Sequence, residues 1–278
     1  MCGRYIVVSK VKTIGQRFNV RVENVDPAQV QMNIGVGMQG FVITGEMPDN
    51  LQTMTFGLTP SWATKPMYLF NARSEGDHNK EDDMHYKGAA GIITKPAFRQ
   101  AIRQRRCLVI ADAFLEGSKE DGLSKPWLIY MRNKQRPFAM AGIWETWHNT
   151  STNTTHHGYA IITAPSSDIT AAIGHHRSPV ILQKEQERTW LDPRTELSEI
   201  TSMLHAVQSG LMNAYPVSAL LKNAQGQDIE LLQPIGETIV DESQIKIERH
   251  IHLFGMGESR SADRRKSLDK NEESGATP

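Results

Sequence analysis

The chain has 278 residues, with 31 lysines and arginines against 31 aspartates and glutamates, so its formal charge at neutral pH is zero. That balance excludes a wholesale electrostatic grip on nucleic acid and leaves room only for a local basic patch. No apolar run approaches the roughly 20 residues a membrane span requires, and the start of the chain lacks the basic and apolar regions of a signal peptide.

Residues 4–8 read as a first strand and residues 10–19 as a short helix. Residues 30–42 read as irregular and glycine-rich, and another strand is expected within 54–62. Residues 76–91 are polar and charged, the composition of an exposed loop. Pro96 opens a helix at a position where its missing N–H costs nothing, with Phe98 and Ile102 spaced for one apolar face. Strands are expected at 107–111, Trp127–Met131, 138–144 and 159–163. The Thr, Asn, Ser and His run at 149–157 reads as a hairpin loop. Helices are expected at Lys184–Leu191 and 197–207, and a late strand at 211–217. Many short strands among short helices predict an α+β fold. The expectation is one domain over residues 2–254, built on a mixed or antiparallel, barrel-like sheet. Residues 255–278 form a polar tail too poor in apolar side chains to fold. No internal repeat is present.

The only cysteines are Cys2 and Cys107. With no export signal a reducing cytoplasm is expected, and the pair shows neither metal-ligand spacing nor a disulfide framework. Cys107 lies in an apolar run and reads as a small core residue. Arg99, Arg103, Arg105 and Arg106 concentrate positive charge just before it. They read either as the solvated face of a helix or as part of a basic patch.

Cys2 directly follows Met1. A small second residue favours removal of the initiator methionine, so the mature chain is expected to begin at Cys2. One residue then carries a thiol and a primary amine on adjacent carbons, with ordinary pKa values of about 8.5 and about 7.7–8.0. Such an aminothiol has a specific chemical partner, an aldehyde. The amine forms a Schiff base and the thiolate closes a five-membered thiazolidine.

Several polar residues stand in apolar or turn contexts. Asn71, Arg73 and Glu75 follow Phe70; Glu116 ends an apolar run; His175 and Arg177 precede Ser178-Pro179-Val180. Burying such groups unpaired costs roughly 1–3 kcal/mol each, so each needs a partner or a task. Each also has an ordinary reading. Asn71 suits a turn, Glu116 a strand end, His175 a structural position beside His176, and Trp62 simple packing.

MCGRY at residues 1–5, NARSE at 71–75, RRCLVIADAFLE at 105–116, HHRSPVIL at 175–182, YPVS at 215–218 and ELLQP at 230–234 together resemble the SRAP (SOS response-associated peptidase) family. The resemblance covers residues 2–234. It implies a DNA-repair protein that senses abasic sites in single-stranded DNA and cross-links to them through a thiazolidine at Cys2. Strand cleavage at the Schiff base is the implied side reaction. Asn71 would hold the cysteine and sugar, Glu116 would move protons at the Schiff base and sugar oxygens, and His175 would assist ring opening as general acid. Arg4, Arg73 and Arg177 would hold the DNA backbone, with Thr163 grouped among the DNA-binding residues. Trp62 would stack on the base beside the lesion. No metal or other cofactor is implied. The implied partners are single-stranded DNA containing abasic sites and replication-fork proteins, with no membrane, for a protein acting as a monomer. It would be cytoplasmic and nucleoid-associated in a bacterium, or nuclear in a eukaryote.

The chain departs from the family pattern at residues 33–37, where Asn33 is not followed by Ala-Pro, and at Leu115 and Gly117, which replace aromatics. It also departs at Ala63 and Ser178. Two other classes of function stay open. One is a cysteine peptidase using Cys2, His175 and Glu116 as nucleophile, base and orienter, including removal of its own Met1. The other is a non-catalytic binder of single-stranded DNA.

Overall fold

The computed structural model describes residues 3–242, apart from 84, 87, 89, 133 and 134. The first half of the chain contains β1 (Arg4–Ile6), α1 (Val11–Phe18), β2 (Asn33–Gly35), β3 (Gln39–Thr44), β4 (Gln52–Phe56), β5 (Asn71–Arg73), α2 (Ala101–Gln104), β6 (Arg106–Ala111), β7 (Ala113–Glu116) and β8 (Trp127–Met131). The second half contains β9 (Phe138–Asn149), β10 (Thr154–Pro165), α3 (Asp168–Ala172), β11 (Arg177–Pro179), β12 (Ile181–Leu182), α4 (Lys184–Leu191), α5 (Leu197–Ser202) and β13 (Met212–Pro216). Residues 243–278, with the expected domain end at 254 and the polar tail 255–278, lie outside the described residues.

Five strands close on themselves. β10, β4, β3, β6 and β9 pair in that order, and β9 returns to β10. All these pairs are antiparallel except β4 beside β10. Closure satisfies the backbone of this barrel without free edges. β5 continues along the edge of β10 that β4 has left, also parallel, and β11 pairs antiparallel with the end of β10. A second sheet, antiparallel throughout, has the order β13-β8-β7-β1-β2. The α+β class and barrel-like sheet expected from the sequence are the ones the chain adopts.

Asp112 is the joint between the two sheets. Ala111 pairs with Phe138 in the barrel, while Ala113 pairs with Ile6 and Tyr130 in the second sheet. The buried Asp112 carboxylate accepts from Val8 N and Ser9 N, both at 2.7 Å, and from Ser9 Oγ at 2.6 Å. Those three donors satisfy a charge that would be costly to bury alone, and they fix the chain just beyond β1. From the barrel side, the Tyr5 hydroxyl meets that of Tyr159, while Phe56 stacks on Tyr159 at 5.3 Å and meets Tyr5 edge-on at 5.6 Å. β1 is therefore held from both sheets.

Several local readings differ from what forms. Residues 30–42 contain β2 and most of β3 rather than irregular chain. Residues 154–157, expected within a loop, belong to β10, and the hairpin turn occupies only 150–153. This hairpin runs past the barrel into solvent, so its strands need no apolar side chains, and threonine suits extended backbone. The helix expected from Pro96 shrinks to α2, preceded by turns, and the one at 197–207 ends at Ser202. The four arginines do not converge on a patch. Arg106 is buried and donates to the carbonyls of Trp190, Ile102, Arg103 and Asp192. Arg105 pairs with Glu145 at 2.7 Å, and Arg103 donates to Ile93 O and Arg99 O. Cys107 is fully buried, and burial raises its thiol pKa far above the ordinary range. No helix among the described residues is long and apolar enough to cross a membrane.

Candidate active site

β1 and β7 run antiparallel, with Ile6 opposite Ala113 and Tyr5 opposite Phe114. Continued two places, that register sets Glu116 at the level of Gly3, the residue after Cys2 in the chain. Met1 and Cys2 themselves lie outside the described residues. Glu116 is only 3% exposed, and burial pushes its carboxyl pKa up to about 7.

His175 reaches the same place from α3. Ser167 and Thr170 cap the start of that helix reciprocally, and His175 N donates to Thr170 O at 2.8 Å as the chain leaves it. The imidazole Nδ1 lies 2.8 Å from Gly117 O. A carbonyl only accepts, so Nδ1 carries the proton and the neutral ring keeps Nε2 for its other neighbour. That neighbour is Glu116, with Oε2 3.3 Å away. Burial lowers the His175 pKa to about 4. At neutral pH the ring is therefore uncharged, and the Glu116 carboxyl is placed to hold or release a proton. Gly117 has no space for a side chain: a β-carbon there would fall 1.8 Å from Gly122 O. The departure at this position thus follows from a turn packed against it.

Asn71 opens β5 opposite Ile161, two places before Arg73 meets Thr163 in the same register. Thr163 and Arg177 are buried together. Arg177, 1% exposed, donates to both carboxylate oxygens of Glu75 and, at 3.0 Å, to Thr163 O and Oγ1. Neither residue presents surface to a strand in this arrangement. Arg73 is more open and pairs with Asp82 at 2.9 Å. Arg4 is half-buried, donates to Asn33 Oδ1 at 3.3 Å, and lies across Gly35, where an added β-carbon would come within 2.9–3.1 Å of its guanidinium. Asn33 is fixed in turn by donating to the carbonyls of Leu221, Asn223 and Gly226. The stretch that departs from the family pattern is thus the cradle of Arg4.

Trp62 stands apart on the loop between β4 and β5, with 60% of its surface exposed. Leu58 and Leu69 close the neck of that loop with two backbone hydrogen bonds, and Trp147 Nε1 donates to Ala63 O at 2.6 Å. The loop is anchored on either side of an indole that packs on little. Two sizeable clefts, of about 400 and 440 Å³, are lined by neither Glu116 nor His175. Among the described residues no cluster of histidines, cysteines and carboxylates could hold a metal ion.

The SOS response associated peptidase (SRAP) family model matches residues 1–224. The chain belongs to the SRAP family. Among its relatives is the abasic site processing protein YoqW of Bacillus subtilis, 29% identical over 248 residues that cover 84% of this chain and 99% of the relative. Another is the abasic site processing protein YoaM of the same bacterium, 30% identical over 246 residues covering 84% and 97%. A crystal structure of a Bacteroides thetaiotaomicron protein superposes with a TM-score of 0.71 at 26% identity, covering 84% of this chain and 99% of that one.

In this SRAP chain the structure brings Glu116 to His175 and groups Arg73, Thr163 and Arg177 with two acids, while Arg4 and Trp62 lie on separate elements. Sequence reasoning had noted Glu75 as an oddly placed charge without assigning its partner. It missed Asp82 altogether. Nothing distinguishes that residue within a polar, charged loop until its contacts are seen.

Proposed function

We propose that this protein captures abasic sites in single-stranded DNA, forming a thiazolidine between Cys2 and the ring-opened sugar. The observation that carries the proposal is the Glu116–His175 pair: a buried carboxyl at the level of Gly3 with Oε2 3.3 Å from the imidazole Nε2, burial raising its pKa to about 7. The SRAP membership and the relatives named as abasic site processing proteins support the same substrate.

The Cys2 amine adds to the C1′ aldehyde and gives a carbinolamine. The protonated Glu116 carboxyl delivers a proton to the departing hydroxyl, water leaves, and the Schiff base remains. The Glu116 carboxylate then takes the Cys2 thiol proton, the thiolate bonds to the carbon of the protonated Schiff base, and the C=N π pair returns to nitrogen, closing the ring with the net loss of one water. A carboxyl with a pKa of about 7 suits both proton delivery and proton removal at neutral pH. Asn71 holds the sugar, Arg4 and Arg73 meet phosphates, and the exposed Trp62 stacks on a neighbouring base. Arg177 and Thr163 serve from beneath, tying the start of β11 to β10 and to Glu75, two residues beyond Arg73. β-Elimination from the Schiff base cleaves DNA as a side reaction, which ring closure suppresses.

The peptidase reading has less support. A triad needs one imidazole nitrogen on the orienting group and the other left for the nucleophile. Here Nδ1 is engaged by Gly117 O, and Nε2 faces the carboxyl.

Cys2→Ser separates the two nucleophiles. The proposal expects wild type to give a DNA adduct that survives denaturation without added reagent, and Cys2→Ser to give one only after borohydride reduction of the imine. An unreduced, stable adduct from Cys2→Ser would remove the thiazolidine from the account.

A further inference from the structure

Asp82 places its two carboxylate oxygens on separate partners, an arginine pair and a histidine. Oδ1 lies 2.9 Å from Arg73 Nη1 and 4.0 Å from Arg177 Nη1, and Oδ2 lies 3.5 Å from His176 Nε2. These partners come from β5, from the start of β11 and from the residue before it, and both strands pair with β10. The carboxylate thus bridges two strands at the edge of the site. It is delivered there by a built turn. The buried Asn79 side chain donates to Asp83 O at 2.9 Å and accepts from Asp83 N at 2.8 Å, enclosing Asp82 between them. Asp82 itself has φ of 56°, a left-handed conformation that aspartate tolerates better than most residues.

The neck of the loop is equally specific. A β-carbon on Gly91 would fall 2.3 Å from Glu75 O, and one on Gly76 would fall 2.8 Å from Gly91 C. Two glycines therefore cross where the loop leaves β5 and returns. Loops with such closed ends are compact and frequently functional. An acid set beside Arg73 and His176 occupies the place where a guanidinium and an imidazole could receive a phosphodiester, whose two non-bridging oxygens are disposed like those of a carboxylate.

We infer that the Asp82 carboxylate occupies an anion site formed by Arg73 and His176, with the buried Arg177 beneath them, as an internal stand-in for a DNA phosphate, and that a bound strand displaces it. The inference rests on the proposal that the protein binds single-stranded DNA. Its consequence is a built-in competitor. Affinity for undamaged strands is held down by the fraction of molecules in which Asp82 occupies the site, and long residence is left to the covalent step.

The test uses the full chain and a fluorescein-labelled single-stranded oligonucleotide with no abasic site, so that binding alone is read by anisotropy across a salt series. Asp82→Asn keeps the shape of the side chain and removes its charge. It should tighten Kd by about 3–10-fold and steepen the slope of log K against log salt by about 0.7, the value of one further phosphate contact on a single strand. Glu81→Gln removes the same charge one residue away and should give less than half that gain. In an Arg73→Ala background, Asp82→Asn should give almost none. An equal gain from Glu81→Gln would overturn the inference in favour of general charge, and weaker binding by Asp82→Asn would overturn it in favour of a positioning role. Should wild type and every variant fail to bind the oligonucleotide while unfolding normally, the single-stranded DNA reading itself falls, and this inference with it.

Discussion

His175 turns its Nε2 toward the Glu116 carboxyl at 3.3 Å while its Nδ1–H is held by Gly117 O at 2.8 Å. The tautomer is thereby fixed, and a single proton is shared between an acid made weaker by burial and a base made weaker by burial. Folding moves that proton. In the unfolded chain near pH 5.5 it sits on the histidine, and in the folded chain it sits on the glutamate.

This transfer predicts a stability profile. Glu116, raised to about 7 from 4.5, contributes stability that is complete below pH 4.5 and is lost as pH rises through 7. His175, lowered to about 4 from 6.5, contributes stability that is complete above pH 6.5 and is lost as pH falls through 4. Between pH 4.5 and 6.5 the two slopes oppose and the pair's contribution is flat. His175→Gln should uncover the glutamate slope, with stability falling by up to about 1.4 kcal/mol per pH unit as pH rises across that window. Glu116→Gln should uncover the opposite slope. Urea unfolding at a series of pH values reads both, and flat profiles in both variants would refute the shared proton.

Cross-linking should lose about 10²–10⁴-fold in rate on Glu116→Gln at neutral pH, the usual worth of a positioned general acid–base. Wild type should show a break in its rate profile near pH 7 that the variant lacks. Non-covalent affinity for the same oligonucleotide should stay within about twofold, since Glu116 offers no charge-matched contact to phosphate.

Arg73 and Arg177 should behave differently although both lie beside the same acid. Arg177→Met leaves Glu75 buried without its cation and should cost about 3–5 kcal/mol of stability. Arg73 is more exposed, and Arg73→Met should cost about 1 kcal/mol or less while weakening DNA binding and flattening its salt dependence. Chemical unfolding and binding measured on the same preparations separate the two roles.

Trp62→Ala should remove about 1–3 kcal/mol of single-stranded DNA affinity, the worth of one stacked base. Its melting temperature should match that of wild type, because the indole is mostly exposed. A large loss of stability with unchanged binding would make Trp62 a packing residue.

Trp127–Met131 and Lys184–Leu191 are readable to the residue because each pattern has a physical cause within its own length. The first is a continuous apolar run. The second buries Glu187, Trp190 and Leu191 on one helical face, with Trp190 Nε1 donating to Cys107 O. Residues 154–157 and 33–35 are not readable, since pairing across the sheet, rather than an apolar alternation within their own length, marks them as strands. Among the candidate site residues, Glu116 and His175, which the fold brings together, are legible through their joint order along the chain. Arg177 is legible as a residue but not in its surroundings, because Glu75 and Thr163 meet it only after β10 and β11 pair. Asp82 requires the folded loop.

The most direct test is the intact mass of the mature chain after incubation with single-stranded DNA carrying one abasic site, with Cys2→Ala in parallel. The account predicts a denaturation-stable species in wild type alone, equal in mass to protein plus DNA less one water. A wild-type chain that has lost Met1, binds the strand and yet shows no such species would contradict it.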